Sequence, residues 1–202
     1  MAMTEQARQW AGEFGNGYTA RNRVDWQKRV PFWSGVLERT GARSILEVGC
    51  NAGWNLTAIK KAAPWVRAIG IDVNLVAVIL AKTAGVEAWN DPNGPSPNPL
   101  NSPGRYELVF TAGVLIHIPQ PELEQTMRDI VQASNRWVLA VEYGAEQEEE
   151  IIYRGRQDLL WKRPFGAMYE RLGLKLVGLT YVLGPDQGFD NCTVYLLEKP
   201  CP

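Results

Sequence analysis

The sequence SILEVGCNAGWN, residues 44–55, decides the fold of this 202-residue chain. Its apolar run ends at Val48 and predicts a buried strand, and a helical pattern begins near Trp54. Gly49 and Gly53 lie between the two elements, where glycine lets the backbone turn sharply. The stretch therefore predicts a strand, a tight turn and a helix whose N-terminus faces a ligand.

A second apolar run ends in an acid at Asp72, nineteen residues beyond Gly53. In α/β nucleotide folds a carboxylate at the end of the next strand accepts hydrogen bonds from both ribose hydroxyls. Glu47 places another negative charge inside the turn, where it would repel a pyrophosphate but attract a sulfonium and an ammonium group. The two acids together favour S-adenosylmethionine as the cofactor.

Two other interpretations of the turn stay open. The dinucleotide fingerprint G-x-G-x-x-G would make the chain a nucleotide-linked oxidoreductase. Counted from Gly49, however, its second and third glycine positions hold Asn51 and Trp54, and an indole at the third would block close packing of helix on strand. The other interpretation is a tight strand-to-helix turn that holds no ligand. Asp72 argues against it, because an acid at the end of the next strand is a second feature expected of a ligand site.

Composition limits the class of protein. Hydrophobic residues make up 46% of the chain and charged residues 21%, which suits a compact domain with its own core. A net charge of −1 argues against nucleic acid and membrane as partners and favours a small-molecule substrate. Three dispersed cysteines and one histidine lack the spacing of a metal site. We expect no metal, a cytoplasmic location, and a monomer or homodimer.

The order of elements predicts a mostly parallel sheet. Residues 4–40 have a helical pattern with breaks near residues 12–17 and at Pro31. Further helices are predicted at 54–63, 75–84, 120–133 and 164–172, and strands at 44–48, 67–72, 86–89, 106–111, 136–142, 174–183 and 192–198. This alternation favours parallel strands with right-handed crossovers. Residues 184–188 join the last two strands as a hairpin, which makes the final strand antiparallel.

Four blocks of sequence carry a resemblance to a known family. They are EFG at 13–15 with Tyr18, Arg21 and Asn22; EVGCNAG at 47–53; GVLIHI at 113–118; and YRGR at 153–156 with LWKRPFG at 160–166. Together they resemble the class I S-adenosylmethionine-dependent methyltransferases, and within these the small methylases associated with pseudaminic acid biosynthesis. The resemblance implies a Rossmann-like, seven-stranded sheet of order 3-2-1-4-5-7-6. We expect one domain, with an N-terminal helical lid over residues 1–40 and a core over residues 41–202, although the helical spacing of Trp10, Phe14 and Tyr18 also suits plain packing.

The predicted cofactor site collects residues from the lid, the first turn and the ends of strands two to four. These residues are Tyr18, Arg21, Asn22, Glu47, Gly49, Cys50, Asn51, Gly53, Asp72, Val73, Asn90, Asp91, Gly113 and Val114. Asn90 or Asp91 would bind the adenine amino group from the end of the third strand, unless the two residues only begin a turn before Pro92. The proline-rich residues 90–104 are predicted to be an irregular loop excursion.

Substrate and catalytic residues are predicted after the fourth and fifth strands. His117 has a pKa suited to take a proton from a hydroxyl or ammonium nucleophile, although apolar neighbours also suit a packing role. Glu142 and Tyr143 end the fifth strand on the ligand side, where they would contact substrate. Glu142 could instead be a charge that merely ends the strand.

A cluster of cations near the C-terminal third predicts an anion receptor. Arg154, Arg156, Lys162 and Arg163 lie around Tyr153, and an arginine fork binds a carboxylate or phosphate through two hydrogen bonds. The alternative is that these charges neutralise the acidic run at 146–150. The sequence thus predicts methyl transfer to an oxygen or nitrogen of a small, polar, acidic metabolite. A non-catalytic S-adenosylmethionine-binding module and an RNA or protein methyltransferase are the alternatives within the same fold.

Overall fold

The computed structural model describes residues 4–91, 102–178 and 181–200. Helices in these ranges are α1 (Glu5–Ala11), α2 (Glu13–Arg21), α3 (Val30–Thr40), α4 (Trp54–Ala62), α5 (Leu75–Thr83), α6 (Gln120–Ala133) and α7 (Phe165–Arg171). Strands are β1 (Ser44–Val48), β2 (Arg67–Asp72), β3 (Glu87–Asn90), β4 (Tyr106–Ala112), β5 (Ser134–Glu142), β6 (Glu149–Glu150), β7 (Trp161–Lys162), β8 (Lys175–Leu176), β9 (Tyr181–Leu183) and β10 (Cys192–Glu198). Most of the predicted proline-rich loop, residues 92–101, lies outside the described residues.

The main sheet has the order β3-β2-β1-β4-β5-β10-β8, and β9 also pairs with β10. Strands β1 to β5 are parallel, and β10 runs antiparallel to β5, β8 and β9. The predicted strand over 174–183 is therefore two short strands, with residues 179–180 outside the described part. Counted as one strand, they give the predicted order, so the Rossmann-like α/β fold with an antiparallel final strand is confirmed. The small sheet of β6 and β7 was not predicted.

Helices cover both faces of this sheet, which is why β1 is buried along most of its length. On one face α6 contributes Leu123, Met127 and Ile130, whose spacing forms a single apolar stripe on a helix. On the other face Trp33 from α3 and Ile59 from α4 pack against the sheet. Within the described ranges, no helix combines the length and apolar character needed to cross a bilayer.

The N-terminal helices break inside the predicted range 12–17, but at Gly12 alone. The chain turns at Gly12, between α1 and α2, but Gly15 and Gly17 lie inside α2 and do not interrupt it. A Cβ atom at Gly15 would collide with the Trp10 carbonyl oxygen, so this glycine serves close packing of the two helices. Pro31 lies in the first turn of α3, where proline is tolerated.

Candidate active site

The carboxyl ends of β1, β2, β4 and β5 meet at one edge of the sheet, where ligands bind in open α/β folds. A cavity of about 820 Å³ lies there, and residues of α1 and α2 form part of its wall. Pockets for small ligands commonly measure about 300–1,000 Å³, so this cavity has room for a cofactor and a small acceptor together. Predicted site residues on its wall are Tyr18, Arg21, Asn22, Glu47, Gly49, Cys50, Asn51, Asp72, Val73, Asp91, Gly113, Val114, His117, Tyr143, Tyr153 and Arg154.

The turn after β1 is built from left-handed backbone. Gly49 and Gly53 have φ values of 75° and 78°, and Asn51 has a φ of 47°, which is uncommon for a residue with a side chain. A Cβ atom at Gly49 would also collide with the Val114 side chain. Asn51 stabilises its own conformation because its Oδ1 accepts a hydrogen bond of 2.7 Å from the next backbone N–H. Gly53 shapes the turn without lining the cavity, whereas Cys50 is buried and lines it.

Glu47 presents a buried carboxylate to the cavity. Its side chain is 2% exposed, and its Oε1 accepts a 2.7 Å hydrogen bond from Asn55 Nδ2. Its Oε2 is buried and has no hydrogen-bond partner among the described residues. Burial raises the pKa of Glu47 to about 8, against the hydrogen bond from Asn55 and the charge of Arg29. This oxygen therefore lacks the donor that a buried carboxylate needs, and a ligand cation would supply it.

Asp72 ends β2 and is fixed by two backbone donors. Its Oδ2 accepts a 2.7 Å hydrogen bond from Asn51 N, and its Oδ1 accepts a 2.8 Å hydrogen bond from Asn74 N. Burial raises the pKa of this carboxyl, and the two backbone hydrogen bonds lower it. Each oxygen keeps a further lone pair, so the carboxylate can still accept from a pair of ligand hydroxyls.

Of the two residues predicted to bind adenine at the end of β3, only Asp91 lines the cavity. Asn90 does not line the cavity, because its Nδ2 donates to the Asp72 and Val73 carbonyl oxygens at 3.1 and 3.0 Å. Its amide therefore holds the turn after β2, which corrects its predicted place beside the ligand. Asp91 and Val73 do lie on the cavity wall.

Glu142 was predicted to contact substrate, but it lies inside the protein and supports a turn. The side chain is fully buried, and both carboxylate oxygens accept hydrogen bonds from Val114 N, at 3.1 and 3.0 Å. Ile116 N donates to Oε2 at 3.4 Å. Burial raises the pKa of Glu142 to about 7, opposed by these hydrogen bonds. Glu142 thus holds the turn that begins at Gly113 and does not reach the cavity.

His117 lies on the cavity wall but is a poor base. Its Nδ1 is 2.6 Å from the Leu159 carbonyl oxygen, so in the neutral ring Nδ1 carries the proton and Nε2 is an acceptor. Burial lowers the pKa of His117 to about 4, against the hydrogen bond to Leu159. The Trp10 ring packs against the imidazole with centroids 4.5 Å apart. The ring is therefore neutral at physiological pH and holds a proton only weakly.

Three tyrosines and an aspartate surround the space beyond the end of β5. Tyr143 OH donates to Asp190 Oδ2 at 3.2 Å. Tyr18 reaches the same space from α2, and burial raises its pKa to about 12, helped by the charges of Tyr153 and Asp190. The Tyr153 ring lies 5.6 Å from that of His117. Sequence reasoning missed Asp190, although it precedes an antiparallel strand that begins at the ligand-binding edge.

The predicted anion receptor is only partly present at the cavity. Arg154 lines the wall, and its guanidinium lies 5.6 Å from the Tyr153 ring centroid. Arg156 and Lys162 do not line the cavity. Arg163 is 1% exposed and is held inside the protein, which corrects its predicted place in the receptor. Its Nε bonds Glu148 at 2.6 Å and its Nη1 bonds the Ile118 carbonyl oxygen at 2.9 Å.

Arg29 is a second residue that the sequence did not reveal. It precedes α3 and lines the cavity. Its Nη1 donates to Asn55 Oδ1 at 2.9 Å and its Nε to the Gly188 carbonyl oxygen at 2.8 Å. Asn55 in turn donates to Glu47, so a chain of hydrogen bonds joins this cation to the buried acid. Arg29 belongs to none of the four blocks, and its position depends on contacts distant in sequence.

Solved structures with the same fold are class I S-adenosylmethionine-dependent methyltransferases. No family model and no curated protein matches the sequence. The magnesium protoporphyrin IX methyltransferase of Synechocystis PCC 6803, with bound S-adenosylmethionine, superposes with a TM-score of 0.70 at 14% identity, over 99% of this chain and all of that one. The 1,6-didemethyltoxoflavin-N1-methyltransferase of Burkholderia thailandensis, with bound S-adenosylhomocysteine, gives 0.68 at 10% identity over 96% and 87%. A sugar N-methyltransferase of Streptoalloteichus sp. ATCC 53650 gives 0.65 at 13% identity over 95% and 94%.

Proposed function

We propose that this protein is an S-adenosylmethionine-dependent methyltransferase acting on an oxygen or nitrogen of a small, polar, acidic metabolite. One observation carries the proposal. The Glu47 carboxylate has a buried oxygen without a partner among the described residues, on the wall of a cavity that also contains Asp72. Structures of the same fold hold S-adenosylmethionine or S-adenosylhomocysteine, which supports this choice of cofactor.

The residues on the wall suit the separate parts of this cofactor. Glu47 would accept from the ammonium group, because a buried carboxylate is stabilised by a cation that donates to it. Asp72 would accept from the ribose hydroxyls, and Val73 and Asp91 would border the adenine. Arg29 would bind the carboxylate, since its guanidinium already faces the cavity beside Glu47.

Four cofactor contacts from the predicted set are part of the same proposal. Gly113 and Val114 border the cavity beside the Gly49 turn. Tyr18 and Asn22 hydrogen-bond each other at 3.0 Å at the end of α2, where they would close over the cofactor as part of an N-terminal lid. Gly12, between α1 and α2, would be the hinge of that lid.

S-adenosylmethionine supplies, when bound, a methyl carbon activated by an adjacent sulfonium. The protein therefore has to exclude water and to align the acceptor with that carbon, and such positioning contributes roughly 7–11 kcal/mol in well-oriented reactions. Trp10 and Tyr153 flank His117 on the acceptor side and would form the water-excluding wall. The neutral His117 ring would position the acceptor through Nε2 and not remove its proton.

Cations on the cavity wall support an acidic acceptor. Arg154 lies beside Tyr153, and Arg21, Arg23 and Lys28 line the side formed by the end of α2 and the segment after it. The resemblance to methylases associated with pseudaminic acid biosynthesis is consistent with a small acidic metabolite as acceptor, and we include that subfamily assignment in the proposal.

Calorimetric titration tests the proposal. We expect S-adenosylhomocysteine to bind the purified protein and NAD(P)H not to bind. Asp72→Asn should weaken S-adenosylhomocysteine about tenfold or more, because a charged acceptor is lost from a partly buried hydrogen bond. Asp186→Asn, on an exposed turn outside the cavity wall, is the matched control and should bind normally.

The same protein preparation separates the rival functions. Binding of NAD(P)H in place of S-adenosylhomocysteine would indicate a nucleotide-linked oxidoreductase. Binding of S-adenosylhomocysteine without transfer of a labelled methyl group to any fraction of an acidic metabolite pool would indicate a non-catalytic module.

A further inference from the structure

The space beyond the end of β5 contains an acidic group that the proposed cofactor does not use. Asp190 precedes β10, whose first residues lie beside the end of β5 because the two strands are antiparallel. Its Oδ2 accepts from Tyr143 OH at 3.2 Å, and its Oδ1 has no hydrogen-bond partner among the described residues. Asp190 and Tyr143 both line the cavity. A carboxylate with one oxygen still able to accept a hydrogen bond therefore lies on the wall of the cavity.

The other polar atoms around this space also favour a ligand that donates hydrogen bonds. His117 Nδ1 is engaged with Leu159, so Nε2 of the neutral ring is an acceptor. Burial raises the pKa values of Tyr18 and Tyr143, so both phenols stay protonated and their oxygens and ring faces remain uncharged. Aromatic faces and a carboxylate together are the usual surroundings of a nitrogen cation in proteins.

We propose that the acceptor atom is an amine nitrogen, held by Asp190 and enclosed by the rings of Tyr18, Tyr143 and Tyr153. This inference rests on the methyl transfer proposed above and chooses between its two acceptor atoms. Arg154, next to Tyr153 on the wall, would bind the acidic group of the same molecule. The substrate class is thus a small amino compound with a carboxylate or phosphate.

The chemistry of this site distinguishes amine from hydroxyl. A hydroxyl must lose its proton as it attacks, which calls for a base with a pKa near neutrality. His117, with a pKa of about 4, does not meet that requirement. An ammonium has a far lower pKa than a hydroxyl, so it can pass its proton to solvent before the attack, and the amine then carries its own lone pair and needs no base in the site.

The bonds and charges balance without another reactant. The nitrogen lone pair forms the new bond to the methyl carbon while the carbon–sulfur bond breaks, and the bonding pair stays on sulfur. Positive charge moves from sulfur to nitrogen, beside the Asp190 carboxylate, which stabilises it. The substrate ammonium has already released one proton to solvent, so the product leaves as the methylated ammonium without a further proton transfer.

A labelling experiment tests this inference with pairs of acidic metabolites that differ in one group. Aspartate is compared with malate and serine with glycerate, each with S-adenosylmethionine carrying a tritiated methyl group. Alkali-stable label is scored because methyl esters lose their label in alkali. The variants Asp190→Asn and Asp186→Asn are measured for kcat/KM and for S-adenosylhomocysteine affinity.

We expect stable label in the amine member of at least one pair and not in its hydroxyl counterpart. Asp190→Asn should lower kcat/KM for that amine about 10- to 100-fold, from the loss of a charge-assisted hydrogen bond, with S-adenosylhomocysteine affinity unchanged. Asp186→Asn should stay within about twofold of the unsubstituted protein.

Three results would overturn the inference while S-adenosylhomocysteine still binds. They are label in the hydroxyl members, absence of stable label from every amine, and an unchanged kcat/KM in Asp190→Asn. Failure of S-adenosylhomocysteine to bind at all would instead overturn the proposed function on which the inference rests.

Discussion

Replacing Glu47 by glutamine should stabilise the protein without ligand and weaken cofactor binding. An exposed glutamate has a pKa of 4.5, whereas burial raises that of Glu47 to about 8. The folded state binds the proton more tightly than the unfolded state. The contribution of Glu47 to the free energy of unfolding is therefore fully present below pH 4.5 and is lost as the pH rises to about 8. Each pKa unit corresponds to about 1.4 kcal/mol, so the loss is on the order of 5 kcal/mol.

Glutamine carries no charge and can still accept the hydrogen bond from Asn55. Melting temperatures of Glu47→Gln and the unsubstituted protein should therefore agree near pH 4.5 and diverge with increasing pH. Above about pH 8 the variant should melt on the order of 10 °C higher, since about 1 kcal/mol shifts Tm by 2–4 °C in chains of this size. Differential scanning calorimetry at several pH values measures this gap.

Ligand binding gives the opposite effect for the same substitution. The ligand ammonium favours ionised Glu47, so S-adenosylhomocysteine binding near pH 7 should release about one proton, measurable by calorimetry in two buffers of different ionisation enthalpy. Glu47→Gln should abolish that release and weaken binding about 10- to 100-fold. Equal melting curves at all pH values together with unchanged affinity would refute the role of Glu47.

Three further predictions concern His117, Gly49 and Arg163. Because its pKa is lowered to about 4, His117 should give no inflection near pH 6.5 in the pH profile of kcat/KM. An inflection there that disappears in His117→Gln would contradict this. Gly49→Ala should lower Tm by about 5 °C or more through left-handed strain and collision with Val114, and an unchanged Tm would contradict the turn geometry. Arg163→Ala should cost about 1–3 kcal/mol in chemical denaturation, because it leaves the Leu115 and Ile118 carbonyl oxygens without the donor they have inside the protein. The exposed Arg156→Ala should cost under about 0.5 kcal/mol, and equal costs would contradict the interior role of Arg163.

The sequence predicts the central fold because local patterns and long-range packing agree there. The bounds of β1, β2 and α6 match the predicted ranges 44–48, 67–72 and 120–133. A buried parallel strand is an unbroken apolar run, and α6 has a single apolar stripe, so each pattern has one interpretation. Strands β6 and β7 have two residues each and are too short to carry a pattern.

Glycines were harder to interpret from sequence. The break predicted near residues 12–17 occurs at Gly12, whereas Gly15 and Gly17 lie inside α2. A glycine that permits close helix packing has the same sequence signal as one that ends a helix. In contrast, Gly49 and Gly53 follow a buried strand, and that context predicted a sharp turn, which the structure builds from left-handed backbone.

At the candidate site, the sequence predicted which strand ends reach the cavity better than it predicted what each side chain contacts. Glu47 and Asp72 lie on the cavity wall because strand ends meet at one edge. Adjacent residues of a strand face opposite sides, however, and spacing alone did not show that Arg163 points inward. Arg29 and Asp190 reach the cavity through contacts far apart in sequence, for which no local pattern exists. The binding roles of all these residues stay predictions.

A crystal structure grown with S-adenosylhomocysteine tests the central claim most directly. The proposed function predicts the ribose hydroxyls within hydrogen-bonding distance of Asp72 and the ammonium group beside Glu47. It also predicts the sulfur atom directed toward the part of the cavity lined by Tyr143 and Asp190. A ligand bound elsewhere, or a cavity without the ligand at saturating concentration, would contradict it.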